Sequence, residues 1–438
     1  MTGGPAATPG AAAAAESAGS PGVIRTTVSD CGITVVTEAM ADVRSVSLGF
    51  WVGTGSRDEE RRLAGASHFL EHLLFKGTAT RSARQIAEDV DAAGGDMNAF
   101  TTREYTAFYV RLLADATDLG LDILSDILWR PAFRAAEVEA ERQVILEEIL
   151  MRADEPADLV HEVLTEALFP DHPVGREVLG EEASIEAMAR NDIAAFHAEH
   201  YRPGNVVFAA AGRLDHDRLV EGVERRYGGG PGGARPHRAT PTARPRLRAA
   251  EDRDTEQVHL MVAVPAYDHD HPDRHALAVV NHVLGGGLSS RLFQTVREER
   301  GLAYSVYSYH CALSDCGYLG VYAGTSPARA GEVLDLVHAD LDALAASGIT
   351  ERELDVARRH LAGELALSLE DSAARMNRIG RSQLLRDRVA TVDEVVARFD
   401  AVTAADAARV AADVLAADRV VALVGPVAEA GLTAPRVA

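Results

Sequence analysis

His68, Glu71 and His72 follow one another at H-x-x-E-H spacing, and at 3.6 residues per turn the positions i, i+3 and i+4 share one face of a helix. Neutral imidazole is a preferred ligand of zinc, and a catalytic zinc takes three protein ligands and leaves a fourth position for water. His68 and His72 are therefore candidate ligands. Glu71, beside them, is a candidate general base that would take a proton from a metal-polarised water and return it to a leaving amine, the chemistry of peptide-bond hydrolysis. Without further context the same residues could be two helix histidines next to a surface glutamate. A third ligand must come from elsewhere in the chain, and the segment EAERQVILEEI offers Glu141, Glu147 and Glu148. Glu141 and Glu148 are two helical turns apart and face the same way. Glu148 is read as the third ligand, and Glu141 as the residue that orients a histidine through its other ring nitrogen. Glu147, about 100° around the helix, is expected to face solvent. One Zn2+ per chain is the implied cofactor.

These side chains need a framework. From Val23 the pattern is short and alternating, VIRTTV, then a turn at Ser29 to Gly32, ITVVTEAM and SVSLGFWVGTG, which predicts antiparallel strands. AGASHFLEHLLFKGT changes to a helical period, with Gly77 as its stop. A second helix opens at Ser82, with Gln85 completing a capping box, and ends at Gly94-Gly95. MNAFTTREYTAFYVRLL reads as one alternating strand, helices follow over 115–128 and 135–151, and the strand NVVFAAAG comes last.

Residues 228–250, rich in Gly, Pro and Arg, read as a linker with no packed element. Beyond it the order of strands and helices repeats. Asn281-His282 stands 210 residues after Glu71-His72, with Ala278 in the place of His68, so a duplicated unit whose second copy lacks the metal ligands is expected. The expected fold class is α+β, two homologous domains each with a mainly antiparallel sheet packed with helices. The boundaries read 1–22 as a disordered extension, 23–227 as the metal-binding domain, 228–250 as linker and 251–438 as the second domain. DHDHPDRH, with His269, His271 and His275, reads as a loop leading into a helix in preference to a second metal site.

The chain of 438 residues carries 44 Lys+Arg against 66 Asp+Glu, a net charge of -22, which argues against nucleic acid or an anionic membrane as partner. Such a balance serves solubility, or draws in a cationic peptide. The three cysteines, Cys31, Cys311 and Cys316, form no CxxC pair, so a reducing compartment, the cytoplasm, is expected. The N-terminus lacks the basic start and apolar core of a secretory signal.

The stretches GASHFLEHLLFKGT, GGDMNAFTTREYTAFYVRLL, ERQVILEEI, HPVGREVLG and GGGLSSRLFQTVREERGLAYSVYS resemble the pitrilysin/insulysin family of inverted zincins, in its short-chain branch that contains mitochondrial processing peptidase. The likeness runs from about Val23 to Val424. It implies that Glu148, last in an E-R-x-V-I-x-x-E segment, is the third zinc ligand and that Glu141 is its helper. It further implies that the strand Asn98-Ala99-Phe100-Thr101 receives the substrate, a peptide or unfolded polypeptide, as an added β-strand. By itself NAFTT would simply be a sheet strand. Arg297 and Tyr304 match an arginine and a tyrosine that family members set across the active site, where they could stabilise an oxyanion and grip substrate backbone. Short-chain relatives build a closed chamber from two chains, so a homodimer with these two residues acting on the partner's site is expected. GGGLSS resembles a glycine-rich loop of a non-catalytic processing subunit, and a short turn of this kind is weak evidence for more than a bend. The competing reading is a non-catalytic or partner-dependent subunit on the same fold; such relatives tend to have lost the ligands that are all present here.

Overall fold

The computed structural model describes residues 22–242 and 244–432. The first half runs β1 (Ile24–Val28), β2 (Thr34–Ala39), β3 (Ser45–Val52), α1 (Ala66–Leu74), α2 (Ala83–Ala92), β4 (Asp96–Thr101), β5 (Thr106–Leu113), α3 (Thr117–Trp129), α4 (Ala135–Ala153), α5 (Pro156–Leu168), α6 (Glu182–Ala187), α7 (Arg190–His200), β6 (Val206–Gly212) and α8 (His216–Tyr227). The second half runs β7 (Arg248–Asp252), β8 (Val258–Ala266), α9 (Arg274–Gly285), a π-helical segment (Phe293–Glu299), β9 (Ala303–Ala312), β10 (Gly317–Thr325), α10 (Ala330–Ser347), α11 (Glu351–Ser368), α12 (Ser372–Arg386), α13 (Val392–Ala401), α14 (Ala404–Leu415) and β11 (Val420–Gly425).

The strand order is β1-β2-β6-β3-β5-β4 in the first sheet and β7-β11-β8-β10-β9 in the second. Leaving out β1, each strand of one sheet has its counterpart at the same place in the other. The single parallel pair recurs too, as β2 with β6 and as β7 with β11. The fold is α+β, with two mainly antiparallel sheets. The repeated strand order is what a duplication leaves behind.

In β3, Phe50 and Trp51 are adjacent and must point to opposite faces; both are fully buried. Phe50 packs with α1 and α3 residues such as Phe69 and Ile127 in the core of the first half. Trp51 packs instead with Met376, Ile379 and Leu384 of α12, a helix from the second half. The exchange is mutual, because Leu159, Val160 and Leu164 of α5 cover Met261, Ala263 and Val420 on the second sheet. Each half therefore lends a helix to the other, and burying each such large side chain is worth about 1.5–3 kcal/mol. Gly380 makes the close approach of α12 possible, since a Cβ there would lie 2.7 Å from Trp51 Cδ2.

Two sequence expectations change. MNAFTTREYTAFYVRLL is not one strand but the hairpin β4–β5, turning at Thr102, whose hydroxyl accepts from the Tyr105 amide at 3.1 Å and donates to the Tyr105 carbonyl at 2.9 Å. The linker is not free of packed structure. Its last three residues begin β7, where Arg248 pairs with Val421. Arg238 within it bonds Asp58 Oδ2 at 2.8 Å and the Glu104 carbonyl at 2.6 Å. Arg57, buried beside it, bonds Glu104 at 2.8 Å and Asp315 of the second half at 2.6 Å, so a charge network absent from any periodicity ties linker and halves together. The extension expected over 1–22 lies, apart from Gly22, outside the described residues. None of the described helices is long and apolar enough to cross a membrane.

Candidate metal centre

α1 begins abruptly, and its start is built by buried groups. Gly65, at φ 92°, and Gly180, at φ 86°, lie back to back; a Cβ on either would come within 2.5 Å of the other segment's carbonyl, Leu179 O or Ala64 O. The Glu59 carboxylate accepts from the amides of Gly65 and Ser67, each at 2.7 Å, and so satisfies donors that the first turn leaves free. Once ionised it also places negative charge at the positive end of the helix dipole. Burial pushes the Glu59 carboxyl up to about 8, while the two backbone donors pull it the other way.

From that start, α1 projects His68 and His72 side by side, their ring centroids 4.7 Å apart. α4 brings Glu148 over both. Glu148 Oε2 lies 3.6 Å from His68 Nε2 and 3.7 Å from His72 Nε2. These separations are too long for hydrogen bonds and close to the about 3.3 Å edge of a tetrahedron of ligands around zinc. The three residues are the one His/Cys/Asp/Glu group among the described residues whose ligand atoms all lie within 4.8 Å. His269, His271 and His275 form no such group. Burial, and then His72, push His68 down to about 4, which keeps its imidazole neutral as a ligand must be.

Around the ligands, His72 Nδ1 meets Glu141 Oε2 at 3.1 Å, and the other oxygen of Glu141 receives Nζ of Lys76, the chain's only lysine, at 2.7 Å. Glu147, one residue from Glu148, is exposed. Glu71 is held by a bond that the sequence reading did not foresee: Thr101 Oγ1 donates to Glu71 Oε2 at 2.6 Å. Burial raises the Glu71 carboxyl, and the Thr101 bond opposes the rise. Thr101 ends β4, which is the outer strand of its sheet and pairs only with β5. Asn98, Ala99, Phe100 and Thr101 thus offer an unpaired strand edge running to Glu71.

His68, Glu71, Phe100 and Thr101 line a cleft of about 680 Å³ whose far wall is Tyr307, Tyr309 and Tyr318 of the second half. His161 Nδ1 and the Tyr309 hydroxyl, 3.0 Å apart, bridge the two halves in this wall. Arg297 and Tyr304, which the resemblance sets across the active site of a partner chain, lie elsewhere. In one chain those two meet each other, the guanidinium 4.6 Å over the Tyr304 ring, and neither lines the metal cleft. Tyr304 is 81% exposed and sits where the β9–β10 register shifts, Ser305 facing Gly324 but Ala303 facing Thr325, a bulge that turns its side chain out. Alternation along β9 from Tyr307 to Tyr309 was a signal that could have found the tyrosine wall.

A family model described as Insulinase (Peptidase family M16) matches residues 34–182, and one described as Peptidase M16 inactive domain matches residues 187–361. An uncharacterized zinc protease of Streptomyces coelicolor is 42% identical over 92% of this chain and 90% of its own length. One from Bacillus subtilis is 37% identical over 90% of this chain and 96% of its own. The crystal structure of a peptidase M16 inactive domain from Pseudomonas fluorescens superposes with a TM-score of 0.86 at 24% identity, covering 92% of this chain and 98% of that one; at that identity it speaks for the fold alone. With both halves matched and relatives this similar over most of their length, the chain belongs to the M16 peptidase family.

Proposed function

We propose that this protein is a zinc metalloendopeptidase that hydrolyses peptides or unfolded polypeptides laid along the free edge of β4. The observation that carries the reading is the meeting of His68, His72 and Glu148 from two helices, with Glu71 fixed beside them by Thr101. Two neutral imidazoles and a carboxylate are the donor set of a catalytic zinc site. Zinc held there supplies a Lewis acid and makes a water ionisable near neutral pH. Glu71 accepts the proton of the attacking water and hands it to the leaving amine, and its burial, by raising its pKa, suits it to both transfers. The β4 edge supplies main-chain hydrogen bonds, which bind a substrate by backbone and leave its sequence open.

In this reading the working form is a homodimer enclosing a chamber, with Arg297 and Tyr304 of a second copy serving each cleft. Supporting it is the stacked, outward position of that pair within one chain, away from the metal cleft. The same observation favours the second reading, a chain that needs a different partner for activity. Three free cysteines agree with a cytoplasmic setting. The reading is tested by cleavage of an unstructured quenched peptide, which should stop when a chelator strips the metal and return when zinc is restored. Cleavage indifferent to chelation would refute it.

A further inference from the structure

Phe100 lines the metal cleft and also a second cavity, of about 1040 Å³. Trp51 and Tyr105 complete the first half's share of the wall, and the rest comes from the start of α9 and from α11, α12 and α13. Six arginines reach it: Arg274, Arg378, Arg381, Arg386, Arg388 and Arg398. In a chain of net charge -22 this concentration is not a reflection of composition.

The acidic residues nearby offset it only in part. Arg386 lies 3.5 Å from Asp270 and Arg388 2.7 Å from Glu394. Asp273 and Asp406 are both engaged by Arg409, which is not part of the wall. Among the described residues Arg274, Arg378, Arg381 and Arg398 have no carboxylate at ion-pair distance; Arg274 and Arg378 reach only the carbonyls of His271 and Ala390. The field is felt locally, for His275 is pushed down to about 4 by burial and then by Arg274, Arg398 and Arg386. Trp51, on the same wall and 0% exposed, has an indole N–H with no acceptor, and Asn377 Oδ1 has no donor. Uncompensated guanidiniums and an orphaned buried donor are what a carboxylate-bearing ligand satisfies.

We propose that this cavity is a substrate subsite for acidic side chains. A polypeptide paired along β4 passes Phe100 and sets Asp or Glu carboxylates among Arg274, Arg378, Arg381 and Arg398. The inference rests on the proposed addition of substrate to β4. It reverses the specificity that net charge alone suggests: long polyanions such as nucleic acids are repelled at a distance by the overall charge, whereas a peptide with a few carboxylates meets the arginines only at close range.

The test is a fluorescence-anisotropy titration of the zinc-loaded Glu71→Gln protein, which leaves peptides intact. Three labelled peptides share one apolar centre and carry Glu, Gln or Lys flanks. The Glu peptide should bind roughly tenfold more tightly than the Gln peptide, and adding Arg398→Gln or Arg381→Gln should each erode that preference. Neither arginine makes an ion pair among the described residues, and thermal melts of both variants verify that they fold. Equal binding of the Glu and Gln peptides, or a preference that survives both substitutions, overturns the subsite while leaving strand addition in place. Failure of all three peptides to bind overturns strand addition as well. Arginine-dependent binding of tripolyphosphate without any preference for the Glu peptide would assign the cavity to phosphate and overturn the proposal.

Discussion

His72 Nδ1 lies 3.1 Å from Glu141 Oε2, while Nε2 of the same ring is turned toward Glu148. The carboxylate accepts a hydrogen bond from Nδ1–H and so favours the tautomer that leaves the Nε2 lone pair for a metal. Lys76, on the other oxygen of Glu141, keeps that carboxylate in place. Glu141→Ala should weaken zinc affinity by roughly 10–100-fold, read by competition with a chromogenic chelator. Unchanged affinity would make Glu141 a purely structural partner of Lys76.

The buried cap of α1 gives a pH dependence. The folded-state pKa of Glu59 is raised from 4.5 to about 8, so the native state holds a proton there that the unfolded chain has released. The stability linked to this group is full below the unfolded pKa and is lost as pH rises through about 8. Melting temperature should therefore fall between pH 5 and 8 more steeply in wild type than in Glu59→Gln. Parallel pH profiles for the two proteins would contradict the assignment.

Completion of the site by a second copy can be tested by mixing. Glu71→Gln and Arg297→Ala proteins should each be inactive alone and should recover up to about a quarter of wild-type activity when co-assembled, because random pairing makes half the dimers mixed and each mixed dimer has one intact cleft. Verified mixed dimers with no recovery would rule out action in trans.

Much of the metal centre was legible because its spacing is local. H-x-x-E-H fixes one helix face, seven residues separate Glu141 from Glu148 on another, and the Ser82–Gln85 capping box appears in the structure as the spacing requires. What could not be read depends on contacts distant in sequence. Glu59 caps α1 from the preceding loop, Thr101 meets Glu71 across 30 residues, and Trp51 finds α12 more than 300 residues later. MNAFTTREYTAFYVRLL hid its turn because Thr102 and Tyr105, neither Gly nor Pro, make it with a side-chain hydroxyl. The arginine cavity was invisible because its wall is assembled from both halves, from β3 and β4 as well as α9, α11, α12 and α13, and net charge averages such a cluster away.

On the proposed reading three ligands hold a zinc ion and Glu71 acts beside them without binding it. Zinc content and cleavage of an unstructured peptide, measured together for wild type and Glu71→Gln, test it most directly. About one zinc per chain is expected in both proteins, with turnover falling by roughly 10²–10⁴-fold in the Gln variant. A Gln variant that cleaves normally, or a wild type that holds no zinc and cuts nothing, would contradict the account.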